Sequence, residues 1–397
     1  MSKKECVIIN GARTPIGRFG GVFRDLTVID LGVAALKGAL QKSGIKPGQV
    51  SEVIFGHARQ AGNGPNPARI VSFKAGLPVE VPACTVNQAC VSGMLSIMLA
   101  DQSISLGNSD IVVAGGMEHH SSVPYYSMNT RWGARMGDVT LVDGQFRDGY
   151  HCGIEHAHMG LLTDILAEEL GITREEQDQF AFESQQKVRK AKESGFFART
   201  IVPVNVPQQK GSPVAVQEDE TPRPDTTLQA LAKLPPAFRP NGTISAGNAP
   251  PIPDGASAVV ISSREKAEEL GLKPLGKIVS YAVSGSEPKR FGIAPVQAVS
   301  IALKRAGLTL DDIDLIEINE AFAAQVIAVM KLSGMDASKV NIHGGGIALG
   351  HPTGMSGNRI TLDLLYSLSE RGGRYGVATI CGNGGHGGAM VVELDKA

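Results

Sequence analysis

The chain repeats itself. Residues 44–58, GIKPGQVSEVIFGHA, align without a gap with residues 307–321, GLTLDDIDLIEINEA. In that register Gly44 meets Gly307, Ile45 meets Leu308, Val50 meets Ile313, Val53 meets Ile316 and Ala58 meets Ala321. The stretches just upstream, AALKGALQKSG (34–44) and QAVSIALKRAG (297–307), both carry helical apolar spacing and both stop at a glycine. That pattern predicts an amphipathic helix followed by a strand in each copy. A third pair lies at nearly the same separation, because CVSGM (90–94) resembles HPTGM (351–355). Each member precedes a helix-like run, MLSIMLADQSIS or NRITLDLLYSLSE, and then a buried-strand pattern, IVVAGG (111–116) or GVATICG (376–382). Duplication accounts for three such pairs better than chance does. The chain is therefore expected to be two copies of one α/β unit, with Cys90 and His351 at equivalent positions.

At 397 residues the chain exceeds the usual reach of one hydrophobic core, so more than one packed unit is expected. The repeat sets the boundaries. Residues 1–118 plus 251–270 form the first half and 271–397 the second, with 119–250 as an inserted, loop-rich excursion. The excursion holds most of the nine histidines, the single Trp132, and the helix-like run TREEQDQFAFESQQKVRKAKES (173–194). It also holds the Pro-rich, charged VQEDETPRPDTT (216–227), and DGASAVVISS (254–263) then returns to a strand pattern.

Composition narrows the function classes. Hydrophobic content is 42%, charged content 19% and net charge −1, the profile of a soluble globular protein with no global charge to draw it to nucleic acid or a membrane. No stretch approaches the ~18 apolar residues of a membrane span. The start of the sequence carries only a short apolar run, Val7 to Ile9, too short for a signal-peptide core. The five cysteines, Cys6, Cys84, Cys90, Cys152 and Cys381, are odd in number and form no CxxC pair. A reducing, cytoplasmic setting is expected rather than a disulfide framework.

A few residues carry the candidate chemistry. Cys90, in VNQACVSGM, stands at a helix start, where free N–H groups and the helix dipole favour a thiolate. His351 precedes Pro352, and a proline at a first helical position also marks a helix start. Two such starts related by an approximate two-fold can bring imidazole to thiol. Cys381 ends an apolar strand and opens CGNGGHGG, a glycine density that suits close approach of a ligand to backbone N–H groups. Asn319 and Glu320 end the strand-like DLIEI; Asn319 could cap the following helix or serve the site. His151, Cys152, His156 and His158 have irregular spacing that does not match a zinc site. His119-His120 is equally unspecific. No Walker A or dinucleotide fingerprint occurs.

At these residues the chain resembles the thiolases, the acetyl-CoA C-acyltransferase family. The likeness runs over nearly the whole length, through GARTPIGRFGG (11–21), NPAR (66–69), VNQACVSGM (86–94), VVAGGMEHHS (112–121), HMG (158–160), AGNA (246–249), NEAFA (319–323), GHPTGMSG (350–357) and the Cys381 run. The resemblance implies an α/β thiolase fold, two βαβαβαββ halves in a five-layered α/β/α/β/α core covered by a loop domain. It implies condensation of two acetyl-CoA to acetoacetyl-CoA, or the reverse thiolysis, with CoA as substrate and product and neither metal nor redox cofactor. It implies that Cys90 carries the acyl group and that His351 activates it. Asn319 would hold a water at the second thioester, and Cys381 would move the α-proton. The backbone N–H groups of Cys90 and Asn383 would form an oxyanion hole. His158, Met159, Arg223, Phe238, Ala246, Ala249, Phe291, Ala321 and Phe322 fall at CoA and pocket positions. A homodimer or homotetramer is implied as well.

Four positions depart from the family pattern. Pro250-Pro251 replace the usual Ser-Gly after AGNA, Phe291 stands for a methionine, Asn383 for a glycine, and LLTDI follows HMG. They leave two alternatives to acetoacetyl-CoA chemistry: a 3-ketoacyl-CoA thiolase for longer chains, and a thiolase-like protein that binds acyl-CoA or lipid without turnover.

Overall fold

The structure, a computed structural model, describes residues 4–395. Its first half runs β1 (Cys6–Arg13), α1 (Val28–Ser43), β2 (Glu52–Gly56), α2 (Pro67–Lys74), β3 (Ala83–Val86), α3 (Ser92–Ser105) and β4 (Ile111–His119). An excursion containing α4 (Met159–Glu169) and α5 (Arg174–Glu193) follows, and β5 (Pro253–Ser263) returns to the sheet. The second half runs β6 (Gly276–Gly285), α6 (Ala294–Ala306), β7 (Leu315–Ile318), α7 (Ala323–Ser333), α8 (Thr353–Arg371), β8 (Tyr375–Gly382) and β9 (His386–Leu394).

The duplication is visible in the strand order. One ten-stranded sheet runs β7-β8-β9-β6-β1-β5-β4-β2-β3, with the two-residue strand Gly17–Arg18 on β5. Read outward from the β6/β1 junction, the two halves mirror each other. β1/β5 and β5/β4 are antiparallel and β4/β2 parallel; β6/β9 and β9/β8 are antiparallel and β8/β7 parallel. The place that β3 takes beside β2 is filled in the second half by a single parallel bridge, Ile316 to Val340. Only two residue pairs, Val7–Lys277 and Ile8–Gly276, join the halves edge to edge.

The helices sort into three layers around the two half-sheets, giving five layers in all. α1 covers one outer face, α6 the other, and α3 and α8 pack on each other between them. Strand alternation divides the cores. Ile8, Val112 and Ala114 face the middle layer with Met94, Ile97 and Leu362, whereas Val7, Val113 and Val260 face α1. Strands buried on both faces read as continuous apolar runs, which is why IVVAGG shows no alternation. Each large side chain so buried contributes about 1.5–3 kcal/mol.

Local signals act where the sequence predicts. α1 and α6 end at Gly44 and Gly307, both at φ 69°, the left-handed cap a glycine adopts without strain. α5 opens on a Thr173–Glu176 capping box and lies, like α4, against α7. Asn319 does not cap α7: that helix starts four residues later behind Phe322, with no side-chain cap.

Candidate active site

Cys90 and His351 both sit two residues ahead of a middle-layer helix, at the starts of α3 and α8. Pro352 takes the N-cap of α8 rather than its first turn. Cys381 ends β8 and Asn319 follows β7, so the second half delivers both at strand C-termini. Cys90, His351 and Cys381 line one cavity of ≈ 1140 Å³. Asn319 stands behind that wall, fully buried, with Nδ2 3.5 Å from His351 Nε2 and with Oδ1 lacking a partner among the described residues.

The Cys90 turn is held under strain. Ala89 has φ 49°, a conformation that costs a non-glycine residue on the order of 1 kcal/mol. Side chains on both sides lock it. Asn87 Oδ1 accepts from Ala89 N at 2.9 Å, and Ser92 Oγ donates to Ala89 O at 2.6 Å while accepting from Gln88 N at 2.8 Å. The backbone N–H groups of Asn383 and Cys90 itself point at the Cys90 sulfur. Burial opposes the thiolate that a helix start favours. It pushes the thiol up to about 11, outweighing the opposing charge of Arg59 and the two N–H groups.

His351 is 8% exposed, and burial, with the charges of His120 and Arg59, brings it down to about 3. It is a neutral imidazole at physiological pH. Its Nδ1 lies 2.6 Å from Ser356 Oγ, which also lies 2.9 Å from Pro352 O. The Ser356 hydroxyl has one proton for those two acceptors. Given to Pro352 O, it leaves Nδ1 protonated and Nε2 a base; turned to Nδ1, it leaves Nε2–H a donor.

Cys381 packs with Phe291, Met159, Leu162, Ala321 and Cys152 in one apolar cluster. Burial and the nearby Cys90 charge raise its thiol well above its ordinary value.

Beneath the cavity lies a buried polar cluster that motif reading missed. Glu118 Oε2 accepts from Thr353 Oγ1 (2.6 Å), Gly354 N (2.9 Å) and Ala58 N (3.2 Å), and Oε1 from Arg59 N (3.1 Å). His57 Nε2 is 3.3 Å from Oε1. Burial alone would raise the carboxyl, but His57 and the Arg59 charge hold it well below the usual carboxylate range. Glu118 thus ties the first turn of α8, directly after His351, to the loop after β2. His120 is brought down to about 3 by burial and Arg59, and its Nδ1 is 3.0 Å from Gln145 Oε1. The two adjacent histidines and the glutamate of GGMEHHS were the available signal; spacing alone gave no reason to place them under Cys90.

The predicted CoA-contact residues all line the same cavity. His158 caps α4 by accepting from Gly160 N at 3.0 Å and stacks on Phe238 at 4.6 Å between centroids. Burial lowers its pKa. Arg223 is exposed in the wall. Asn383 uses its side chain where the family pattern has a glycine, because Nδ2 donates to Gly149 O (2.9 Å) and His151 O (3.2 Å) and clamps the excursion onto the Cys381 loop. His151–Cys152 pair with Ala157–His158 as a short ladder. Among the described residues no three His, Cys, Asp or Glu side chains converge to hold a metal ion.

A duplicated α/β core that aims a cysteine, an imidazole and a second cysteine into one cavity defines a thiol-dependent acyltransferase. Family models described as "Thiolase, N-terminal domain" and "Thiolase, C-terminal domain" match residues 6–265 and 272–394. The chain belongs to the thiolase family. It is 49% identical to an acetyl-CoA acetyltransferase of Cupriavidus necator over 389 residues, 98% of this chain and 99% of that one. It is 47% identical to an acetyl-CoA acetyltransferase of Pseudomonas aeruginosa over 392 residues, 99% and 100% of the two chains. Among solved structures, the Bacillus anthracis acetyl-CoA acetyltransferase superposes with a TM-score of 0.97 at 42% identity, covering 99% of this chain and 100% of that one. Human mitochondrial 3-ketoacyl-CoA thiolase in complex with CoA superposes with a TM-score of 0.95 at 40% identity, covering 99% and 98%.

Proposed function

We propose that this enzyme joins two acetyl-CoA molecules into acetoacetyl-CoA and CoA, and runs the reverse thiolysis. The observation that carries the proposal is the convergence of Cys90, His351 and Cys381 on one cavity. Because Cys90 rests as a thiol and His351 as a neutral base, the first step is concerted. Nε2 takes the thiol proton as sulfur attacks the thioester carbon, the bond to CoA sulfur breaks, and CoA leaves with that proton. The N–H groups of Cys90 and Asn383, already at the sulfur, hold the oxyanion, a contribution of roughly 3–4 kcal/mol per such hole.

In the second step Cys381, after giving up its own thiol proton to solvent, removes the α-proton of acetyl-CoA as a thiolate. The carbanion attacks the acetyl carbon on Cys90, and the sulfur leaves as a thiolate that takes a proton back from solvent. His351, with Ser356 turned to Nδ1, donates Nε2–H to the second thioester oxygen. Asn319 Oδ1, buried without a partner among the described residues, is the atom that would hold a water there. His158, Met159, Phe238, Ala246, Ala249, Ala321 and Phe322 would line the pantetheine channel, with Arg223 at its outer end. Phe291, 3% exposed and packed with Cys381, occupies space a long apolar chain would need and favours short acyl groups over a long-chain thiolase.

A homodimer or homotetramer is part of the proposal. Trp132 and Met136, 90% and 98% exposed on one loop of the excursion, are apolar surface that a second copy would cover. Among the described residues no helix is long and apolar enough to cross a membrane, and we place the enzyme in the cytoplasm, with acyl-CoA and CoA as its partners and no resident cofactor. The test is to incubate the protein with acetyl-CoA, digest it and weigh the Cys90 peptide. An acetyl adduct that persists in Cys381→Ala while condensation is lost is the expected result. A folded protein with no adduct overturns the assignment and leaves a non-catalytic acyl-CoA-binding role.

A further inference from the structure

We infer that the cavity receives acyl groups bearing a terminal carboxylate, and that Arg59 recognises them. The inference rests on the proposed acyltransferase function and names a substrate class for the same site.

Arg59 lines the cavity wall with Cys90 and His351 while its side chain is only 3% exposed. Its charge acts directly on the Cys90 sulfur and on the His351 ring. The guanidinium is only partly spent. Nη1 donates to Thr353 Oγ1 at 2.6 Å and forms an ion pair with Glu118 Oε2 at 3.9 Å, without a hydrogen bond to it, because Glu118 accepts from Thr353, Gly354, Ala58 and Arg59 backbone or hydroxyl donors. Nε is buried and finds no acceptor among the described residues. A buried donor without an acceptor is costly, and a carboxylate matches the planar guanidinium fork.

The surroundings agree. The Tyr150 ring centre lies 4.7 Å from the guanidinium carbon, and Tyr150 lines the same cavity. The helix starts at Cys90 and His351 add partial positive charge. Two of the three carboxylates that share the wall are turned to other partners: Asp143 Oδ1 accepts from Gln145 N at 2.8 Å, and Asp148 faces Tyr126; the third is Asp225. An aliphatic acyl group would offer Arg59 no acceptor, whereas a short dicarboxylic acyl group would bring an anion to that charge. The chemistry at sulfur is unchanged. Cys90 sulfur bonds to the thioester carbon, the bond to CoA sulfur breaks, and the thiol proton leaves on CoA by way of His351.

The test measures acylation of Cys90 by intact mass with succinyl-CoA, butyryl-CoA and acetyl-CoA. The wild-type protein is expected to react with succinyl-CoA at least about tenfold faster than with butyryl-CoA, the worth of one added charge-assisted contact. Arg59→Gln should bring that ratio to one or below, and Arg59→Lys should retain part of it. Butyryl-CoA equal to or faster than succinyl-CoA in the wild-type protein overturns the inference without any variant being needed. So does an Arg59→Gln protein that loses both rates in equal measure, since a structural role lowers both alike. If acetyl-CoA labels Cys90 and succinyl-CoA shows no preference, this inference alone fails. If acetyl-CoA does not label it, the acyltransferase proposal fails as well.

Discussion

Gly93 and Gly354, equivalent residues of the two copies, face each other where α3 meets α8. A Cβ on Gly93 would stand 2.6 Å from the Gly354 carbonyl oxygen and 2.9 Å from Asn358 N. No side chain fits, so the two helix starts carrying Cys90 and His351 approach backbone to backbone. Gly93→Ala must push them apart. Overpacking of this kind costs about 1–3 kcal/mol, and a small displacement of nucleophile from base costs more in rate than in stability. Thermal melting should show a fall in Tm of a few degrees, and acetoacetyl-CoA thiolysis should fall about a hundredfold or more. Wild-type values for both would show that the contact does not set the spacing.

Ser356 decides which nitrogen of His351 carries the proton. Removing the hydroxyl in Ser356→Ala leaves Nδ1 without its 2.6 Å partner and removes the group whose rotation selects the tautomer in each half-reaction. We expect kcat for condensation to drop by about 10²-fold, the usual worth of a positioned proton-transfer group, with KM for acetyl-CoA nearly unchanged. Acetylation of Cys90 should fall less than condensation, because only the second step needs Nε2–H. Equal losses in both steps, or none, would refute the tautomer role.

Much of this arrangement is legible in the chain, and the reason is physical. The glycine-terminated helices at Gly44 and Gly307 and the apolar runs at 111–116 and 376–382 are local signals, and duplication doubles each of them. Contacts that form only between distant segments are not legible. Glu118, Arg59 and Thr353 lie far apart in sequence, and no periodicity marks a buried carboxylate that saturates two loops. Burial is equally silent: at the Cys90 helix start it pushes the thiol up to about 11, against the N–H groups that favour a thiolate.

That protonation state has a measurable signature. With the Cys90 thiol up at about 11 and the His351 imidazole down at about 3, the resting pair between these values is neutral, not a thiolate–imidazolium pair. Only the thiolate reacts with iodoacetamide. Its alkylation rate at Cys90 should therefore climb about tenfold per pH unit from about pH 7 to pH 9 without levelling. Peptide mass analysis separates Cys90 from exposed Cys84. A plateau reached below about pH 7 would mean that a standing thiolate exists in the free enzyme.

Glu317 on β7 makes a prediction about stability rather than rate. It is 3% exposed, and burial raises its carboxyl from 4.5 to about 8, with the Arg359 charge opposing and the Asp363 charge assisting. Between those values the unfolded chain has lost the proton and the folded chain keeps it. Ionisation therefore favours the unfolded state, and stability falls as pH rises across that window, by on the order of 1 kcal/mol per unit. Arg359 is paired with Asp363 at 2.9 Å, so its pull on Glu317 offsets burial only in part. Glu317→Gln removes the titration while keeping the shape. Urea midpoints at about pH 5 and pH 8 should differ less for the variant than for the wild-type protein, with the variant the more stable of the two at the higher pH. Parallel pH dependence in both proteins would mean that Glu317 is already ionised in the folded state, with Arg359 as its counter-ion.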